Sequence, residues 1–277
     1  MQPTRYLILA PLALAALAGC AERHEAAPAT KPAAEHATPA EPAKEKSATA
    51  EKSTTAEKPA GKAASNHDVS GPSPLEAIAR LSAGNARFAS GRRSRSADAT
   101  DDAEERALTA KGQHPFAAVL TCADSRLAPE LLFDQSIGDI FVVRNAGNIA
   151  EPVGEGSMEY GVEHLGIRLI IVLGHQSCGA VKAVAGTDGP LPGNLAAIQR
   201  NMPGLQAYAA TIAKTGKDPI PAAVIRNAID QATALLRESD SLRKAVEAGT
   251  LAVVPAVYEL DSGLIEFLKP VDPADAR

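Results

Sequence analysis

Tryptophan is absent from this 277-residue sequence, and aromatic residues of all kinds make up only 3% of it. Cysteine is almost as scarce: Cys20, Cys122 and Cys178 are the only three, too few for a disulfide framework. After residue 20 no apolar run is long enough to cross a membrane. The net charge of -5 argues against a nucleic-acid-binding surface. These absences favour a soluble globular domain that does not bind nucleic acid.

The first 70 residues predict export and tethering rather than a packed fold. Residues 1–19 have one early arginine and then an apolar stretch too short for a mature membrane helix, which is typical of a secretory signal peptide. The "LAGC" that ends at Cys20 resembles a bacterial lipobox, so we expect a lipidated Cys20 and an outer-membrane lipoprotein that faces the periplasm. Residues 20–70 are rich in Ala, Pro, Glu and Lys and contain no Leu, Ile, Met or Phe, so they predict a disordered tether. Residues 71–277 are long enough for one well-buried domain.

Strand and helix patterns alternate along this domain. A first helix over about Pro74 to Phe88 is predicted by Ser73 as N-cap and Glu76 as its capping-box partner. Short apolar runs that end in polar or glycine-rich turns predict strands buried on both faces: "FAAVLTC", "DIFVVRN", "RLIIVLGH" and "TLAVVPAVYEL". The "DSG" at 261–263 predicts a hairpin into "LIEFL". The fold class is therefore α/β, with a mostly parallel central sheet of four to five strands flanked by helices and an N-terminal helical arm.

Cysteine and histidine follow two of these strands. Cys122 ends the first strand, His175 ends the third, and Cys178 begins the helix after it, where ligands of parallel sheets bind. Two thiolates and one imidazole match zinc best among common metals, and three protein ligands leave a fourth position for water. In "CADSR", Asp124 can accept a hydrogen bond at the metal or ligate it, and a bidentate pair with Arg126 would keep its carboxylate off the metal.

Three other interpretations of the cysteines stay open. A Cys122–Cys178 disulfide is the ordinary expectation for two cysteines in an exported protein. A thiol/disulfide switch or binding module lacks a close Cys-x-x-Cys pair and leaves His175 unexplained. A purely structural zinc site would normally supply a fourth protein ligand.

"CADSR", followed about fifty residues later by "HQSC", resembles the two zinc motifs of the beta-class carbonic anhydrases. The resemblance runs from about Ser73 to Leu268 and includes "LSAGNARFASG", "FVVRNAGN", "MEYGVEHLG" and "VYELDSGLIEFL". It implies reversible hydration of carbon dioxide to bicarbonate and a proton, with one Zn²⁺ per chain. It further implies that Cys122, His175 and Cys178 are the zinc ligands and that Asp124 and Arg126 form the catalytic dyad.

The resemblance also implies the substrate pocket. Gln113 would hydrogen-bond substrate in a neighbouring site, so a homodimer or a higher homo-oligomer is expected. Phe141 and Tyr160 would form apolar walls, partly across the dimer interface. The remaining substrate-binding candidates are Ala146, which stands where plant-type members carry valine, and Gly179.

The family's bicarbonate-regulated members carry a tryptophan where Val119 stands, so the resemblance predicts that this regulatory site is absent. We therefore expect an open form at neutral pH, with Asp124 off the metal. His114 and His164 are candidate proton shuttles, although structural or surface histidines are more common. The sequence leaves open a related activity on the same zinc fold, hydrolysis of carbonyl sulfide or carbon disulfide, which Ala146 and the segment 186–195 could favour.

Overall fold

The computed structural model describes residues 71–94 and 99–277, which belong to one compact unit. The predicted signal peptide, the predicted lipidation site at Cys20 and the whole predicted tether (residues 20–70) lie outside the described residues. Within the described ranges, no helix combines the length and the hydropathy that crossing a bilayer requires.

A five-stranded sheet forms the centre of the fold, in the order β2-β1-β3-β4-β5. The first four strands in this order are parallel, and β5 is antiparallel to β4. The strands are β1 (Ala117–Cys122), β2 (Ile140–Asn145), β3 (Leu169–His175), β4 (Ala252–Tyr258) and β5 (Ile265–Phe267). The predicted α/β class, the mostly parallel sheet and the terminal hairpin are confirmed.

Helices cover both faces of this sheet. Every residue of β1 and β3 is buried, because alternate side chains enter core clusters on opposite faces. The helices are α1 (Pro74–Ala89), α2 (Ala99–Thr109), α3 (Pro129–Leu132), α4 (Pro152–Leu165), α5 (Gly179–Ala185), α6 (Leu195–Arg200), α7 (Leu205–Ala213), α8 (Ile220–Glu238) and α9 (Asp240–Glu247), with a final 3₁₀ turn at Pro273–Ala276.

The N-terminal helix begins as its sequence predicts. The Ser73 hydroxyl accepts from the Glu76 N–H at 3.3 Å, and the Glu76 carboxylate accepts from the Ser73 N–H at 2.7 Å. This capping box fixes the start of α1. At its other end, the buried Asn85 donates to Leu132 O and Gly263 O and accepts from the Ile265 N–H, which ties α1 to α3 and to the terminal hairpin.

Candidate metal centre

Cys122, His175 and Cys178 meet at the carboxyl edge of the sheet. Cys122 and His175 are the last residues of the neighbouring strands β1 and β3. Cys178 is the N-cap of α5, and the left-handed φ of 58° at Ser177 turns the chain sharply between strand and helix. The fold therefore brings together the three residues that the sequence predicts to form one group.

Their ligand atoms form a compact group. They all lie within 4.8 Å of one another, and all three residues are buried. The two Sγ atoms are 4.0 Å apart, close to the separation of about 3.8 Å that two thiolates have on a tetrahedral zinc ion. A disulfide requires about 2.05 Å, and both cysteines are free thiols in the structure. The spacing suits a shared metal better than a covalent bond.

His175 presents one nitrogen to this group. Its Nδ1 lies 3.0 Å from Gln176 O, a distance at which Nδ1–H donates to the carbonyl. That tautomer leaves a lone pair on Nε2, which is buried and has no hydrogen-bond partner. A buried polar atom without a partner is costly. A metal ion between the two sulfurs would satisfy it, so the residues present fit zinc.

The two thiols influence each other strongly. The pKa of Cys122 is lowered mainly by the hydrogen bond from Cys178. Contacts with His175 and with the Gly147 N–H, 3.3 Å away, lower it further, whereas burial raises it. The same contact and burial raise the pKa of Cys178. Without metal the pair therefore holds one proton tightly, and zinc binding has to displace it.

Asp124 and Arg126 form the predicted bidentate pair beside the group. The Arg126 Nε donates to Asp124 Oδ1 at 2.9 Å and one terminal nitrogen donates to Oδ2 at 2.7 Å. The Arg126 backbone N–H adds a bond of 3.0 Å to Oδ1. These bonds hold the pKa of Asp124 well below its usual range, so the carboxylate stays ionised. Its Oδ2 lies 3.8 Å from His175 Nε2, at the rim of the group.

Arg144 supports this arrangement, although the sequence analysis assigned it no role. Its Nε donates to Cys122 O at 3.2 Å, and a terminal nitrogen donates to Asp124 O at 2.8 Å. The guanidinium therefore fixes the backbone on both sides of Ala123. The only sequence signal is one charged residue in the apolar strand "IFVVRN".

Two of the predicted pocket residues lie at this edge of the sheet. Ala146 is exposed and follows Asn145, which pairs with Cys122 across the sheet. Gly179 is the first residue of α5, and a Cβ added there would meet no atom within 4 Å. Gly179 therefore lies directly after one ligand candidate, Cys178, and Ala146 lies one residue beyond the strand partner of the other cysteine.

The other predicted pocket residues lie far from this chain's own group. Phe141 pairs with Ala118, four residues before Cys122, which is a strand distance of about 13 Å. Tyr160 packs beside Phe141, with ring centroids 6.5 Å apart, and is 48% exposed. Gln113 is exposed and precedes β1, which itself extends about 17 Å to Cys122.

The two candidate proton shuttles lie at the same distant end. His114 precedes β1, and His164 is in the last turn of α4, with its ring centroid 5.1 Å from that of Tyr160. Neither histidine reaches this chain's own group, so any role for them in proton transfer would require a second subunit.

Comparison with known sequences identifies relatives of this chain. The family described as carbonic anhydrase matches residues 117–265. Carbonic anhydrase 2 of Mycobacterium tuberculosis is 38% identical over 194 residues, which are 69% of this chain and 90% of the relative. The carbonic anhydrase of Mycolicibacterium smegmatis is 35% identical over 198 residues, 70% of this chain and 93% of the relative.

Comparison with solved structures agrees. The Coccomyxa beta-carbonic anhydrase in complex with acetazolamide has a TM-score of 0.55 and 28% identity, and the match covers 72% of this chain and 87% of that one.

Proposed function

The chain belongs to the beta-class carbonic anhydrase family, and from this premise we propose that it is a zinc enzyme that hydrates carbon dioxide reversibly to bicarbonate and a proton. Cys122, His175 and Cys178 hold one Zn²⁺ per chain. The observation that carries this assignment is the buried, unpartnered Nε2 of His175 facing two sulfurs 4.0 Å apart. When bound, zinc lowers the pKa of a coordinated water toward about 7 and so supplies hydroxide near neutral pH.

Asp124 and Arg126 control the approach to that centre. Arg126 occupies both carboxylate oxygens of Asp124, so Asp124 is held at the rim rather than turned inward as a fourth ligand. There its Oδ2 can accept a hydrogen bond from the attacking oxygen and orient it toward carbon dioxide. Arg144 keeps the Cys122 and Asp124 backbones in register for this contact. This arrangement supports the expectation of an open form at neutral pH, with Asp124 off the metal.

Metal removal tests the assignment of the ligands. We expect the purified protein to contain about one zinc per chain and to protect Cys122 and Cys178 from a thiol reagent until a chelator is added. Chelation should expose both thiols and abolish hydration, and added zinc should restore it. A reducible Cys122–Cys178 disulfide in the metal-free purified protein would support the thiol-switch interpretation instead.

We propose that the active unit is a homodimer or a higher homo-oligomer. Gln113, Phe141 and Tyr160 lie at the opposite end of the sheet from their own chain's metal group, so in a catalytic pocket they would serve a second copy. The exposed ring of Tyr160 and the exposed Gln113 are accessible for such a contact.

Mixed subunits test this sharing. Gln113→Ala and Asp124→Ala subunits, each weakly active alone, should regain activity when they are unfolded and refolded together. One site of each hybrid dimer would then take an intact Asp124 from one chain and an intact Gln113 from the other. If Gln113 serves its own chain, every site in the hybrid carries a defect and no activity returns.

We also propose that the mature protein is tethered by lipid at Cys20 to the outer membrane and faces the periplasm. Residues 1–19 would be removed, residues 20–70 would act as a spacer, and residues 71–277 would form the catalytic domain. Support comes from the lipobox-like "LAGC" and from the composition of the spacer. Radiolabelled palmitate should enter the wild-type protein but not Cys20→Ser, and the variant should leave the membrane fraction. Equal labelling of both would refute this proposal.

A further inference from the structure

Two buried amides lie one turn apart on α8. Asn227 and Gln231 are each 2% exposed, and Gln231 Nε2 donates to Asn227 Oδ1 at 3.2 Å. They interrupt a helix face that is otherwise apolar, made by Ala223, Val224, Ala228, Ala232 and Leu235. Burying an amide side chain is costly unless it is hydrogen-bonded, so the hydrogen-bond partners of Asn227 and Gln231 indicate their structural role.

Their partners belong to the loop between β2 and α4, here called the 147–150 loop. Asn227 Nδ2 donates to Gly147 O at 2.9 Å, and the Ala150 N–H donates to Gln231 Oε1 at 2.9 Å. Gln231 Nε2 also donates to Asn201 O at 2.7 Å, which ties the pair to the turn after α6. The amides therefore hold the loop at its two ends.

The loop needs this support because its backbone is irregular. Gly147 and Asn148 both have left-handed conformations, with φ of 87° and 47°. Such a segment has no sheet or helix ladder to fix it. Asn145 bonds both backbone groups of Ile149 within the loop, and the two amides of α8 supply the bonds to Gly147 and Ala150.

The same loop touches the metal group. The N–H of Gly147 points at Cys122 Sγ, 3.3 Å away, while the carbonyl of Gly147 is held by Asn227. A hydrogen bond to a thiolate ligand withdraws charge from the sulfur, and outer contacts of this kind tune a bound metal. A continuous chain of contacts therefore joins α8 to the centre.

We propose that Asn227 and Gln231 are positioning residues that fix the 147–150 loop so that the Gly147 N–H stays on Cys122 Sγ. This contact sets how much charge the sulfur gives to zinc, and hence the pH at which hydration activity rises. The catalytic part of this inference rests on the proposed reaction; the effect on a bound metal rests only on the assignment of Cys122 as a ligand.

The test compares Asn227→Leu with Asn85→Leu in the full-length protein. Asn85 is a buried amide of similar exposure, 3%, whose three bonds go to α3 and the terminal hairpin and not to the metal group. Each variant is loaded with Co²⁺ for its thiolate-to-metal absorption band and with Zn²⁺ for a pH profile of hydration.

We expect Asn227→Leu to shift the cobalt band and to raise the midpoint of the pH profile by about half a unit, because Cys122 would give more charge to the metal. Asn85→Leu should lower thermal stability and change neither readout. Unchanged band and midpoint in Asn227→Leu would overturn the inference. If Asn227→Leu does not fold, Gln231→Met decides by the same two readouts.

The cobalt band distinguishes a failure of the proposed function from a failure of the positioning role. A band shift in a protein without measurable hydration would contradict the proposed function but keep the positioning role. Normal hydration by the wild type, with an unshifted band and midpoint in Asn227→Leu, would support the proposed function and contradict the positioning role.

Discussion

Gly147→Ala tests the backbone segment whose N–H lies 3.3 Å from Cys122 Sγ. Gly147 has a φ of +87°, and a Cβ added there would lie 2.3 Å from Met202 Cε. A non-glycine residue in this conformation costs roughly 1–3 kcal/mol, and the lower unfolded-state entropy of alanine returns about 0.4–1. The terminal methyl of the buried Met202 must also shift, and Ala180 Cβ would lie 3.3 Å from the added atom, which together add about 1 kcal/mol of overpacking.

The matched control is Gly249→Ala. Gly249 has a φ of +70°, but a Cβ there would meet no atom within 4 Å, so only the backbone cost applies. We expect Gly249→Ala to lose about 1 kcal/mol of unfolding free energy and Gly147→Ala to lose about 2 kcal/mol. For a domain of this size each kcal/mol lowers Tm by about 2–4 °C.

Thermal unfolding followed by circular dichroism on the zinc-loaded proteins measures the difference. Gly147→Ala should also weaken zinc retention against a competing chelator, because its N–H can no longer stay on Cys122 Sγ. Equal Tm values and equal zinc retention in the two variants would refute the claim that the neighbours of Gly147 make its substitution more costly than that of Gly249.

Three further predictions follow from the charged groups. Arg126→Ala should reduce kcat because Asp124 loses the two bonds that hold it off the metal, whereas Arg126→Lys should be intermediate; equal steady-state rates in all three proteins would contradict this. Burial would raise the pKa of Asp134, but bonds from Ser94 and Arg87 outweigh it and lower the value to about 2. Because this folded-state pKa is depressed, Asp134→Asn should cost about 2 kcal/mol in urea unfolding at neutral pH, and the difference should shrink as pH falls from about 4 to 2. Hydration should rise with pH from about 6 to 9, since two thiolates acidify a zinc-bound water less than three histidines do; a flat stopped-flow profile would be inconsistent with this.

The elements that local sequence determines were predictable. Ser73 and Glu76 define the start of α1, and the apolar runs ending at Cys122 and His175 define two adjacent parallel strands. Because such strands end at one edge of the sheet, the metal group could be inferred from the sequence alone.

The supports of the site were not predictable in the same way. Arg144 and the Gly147 N–H act through bonds across 22 and 25 residues of sequence, and Asn227 acts across 80. Their partners depend on the pairing of β2 with β1 and on the packing of α8 against β3 and β4, which no local pattern reports. The proposed contact of Gln113 and Phe141 with the metal group of a second copy would depend on an interface that the periodicity of one sequence does not encode.

The decisive test of zinc-dependent hydration is a stopped-flow measurement on the zinc-loaded full-length protein and its Asp124→Ala variant. The same samples are analysed for metal. We expect about one zinc per chain in both proteins and turnover reduced by about 100-fold or more in the variant. Zinc bound in both with equal turnover would contradict the role of Asp124. Zinc bound without hydration in the wild type would contradict the proposed reaction and direct attention to carbonyl sulfide and carbon disulfide.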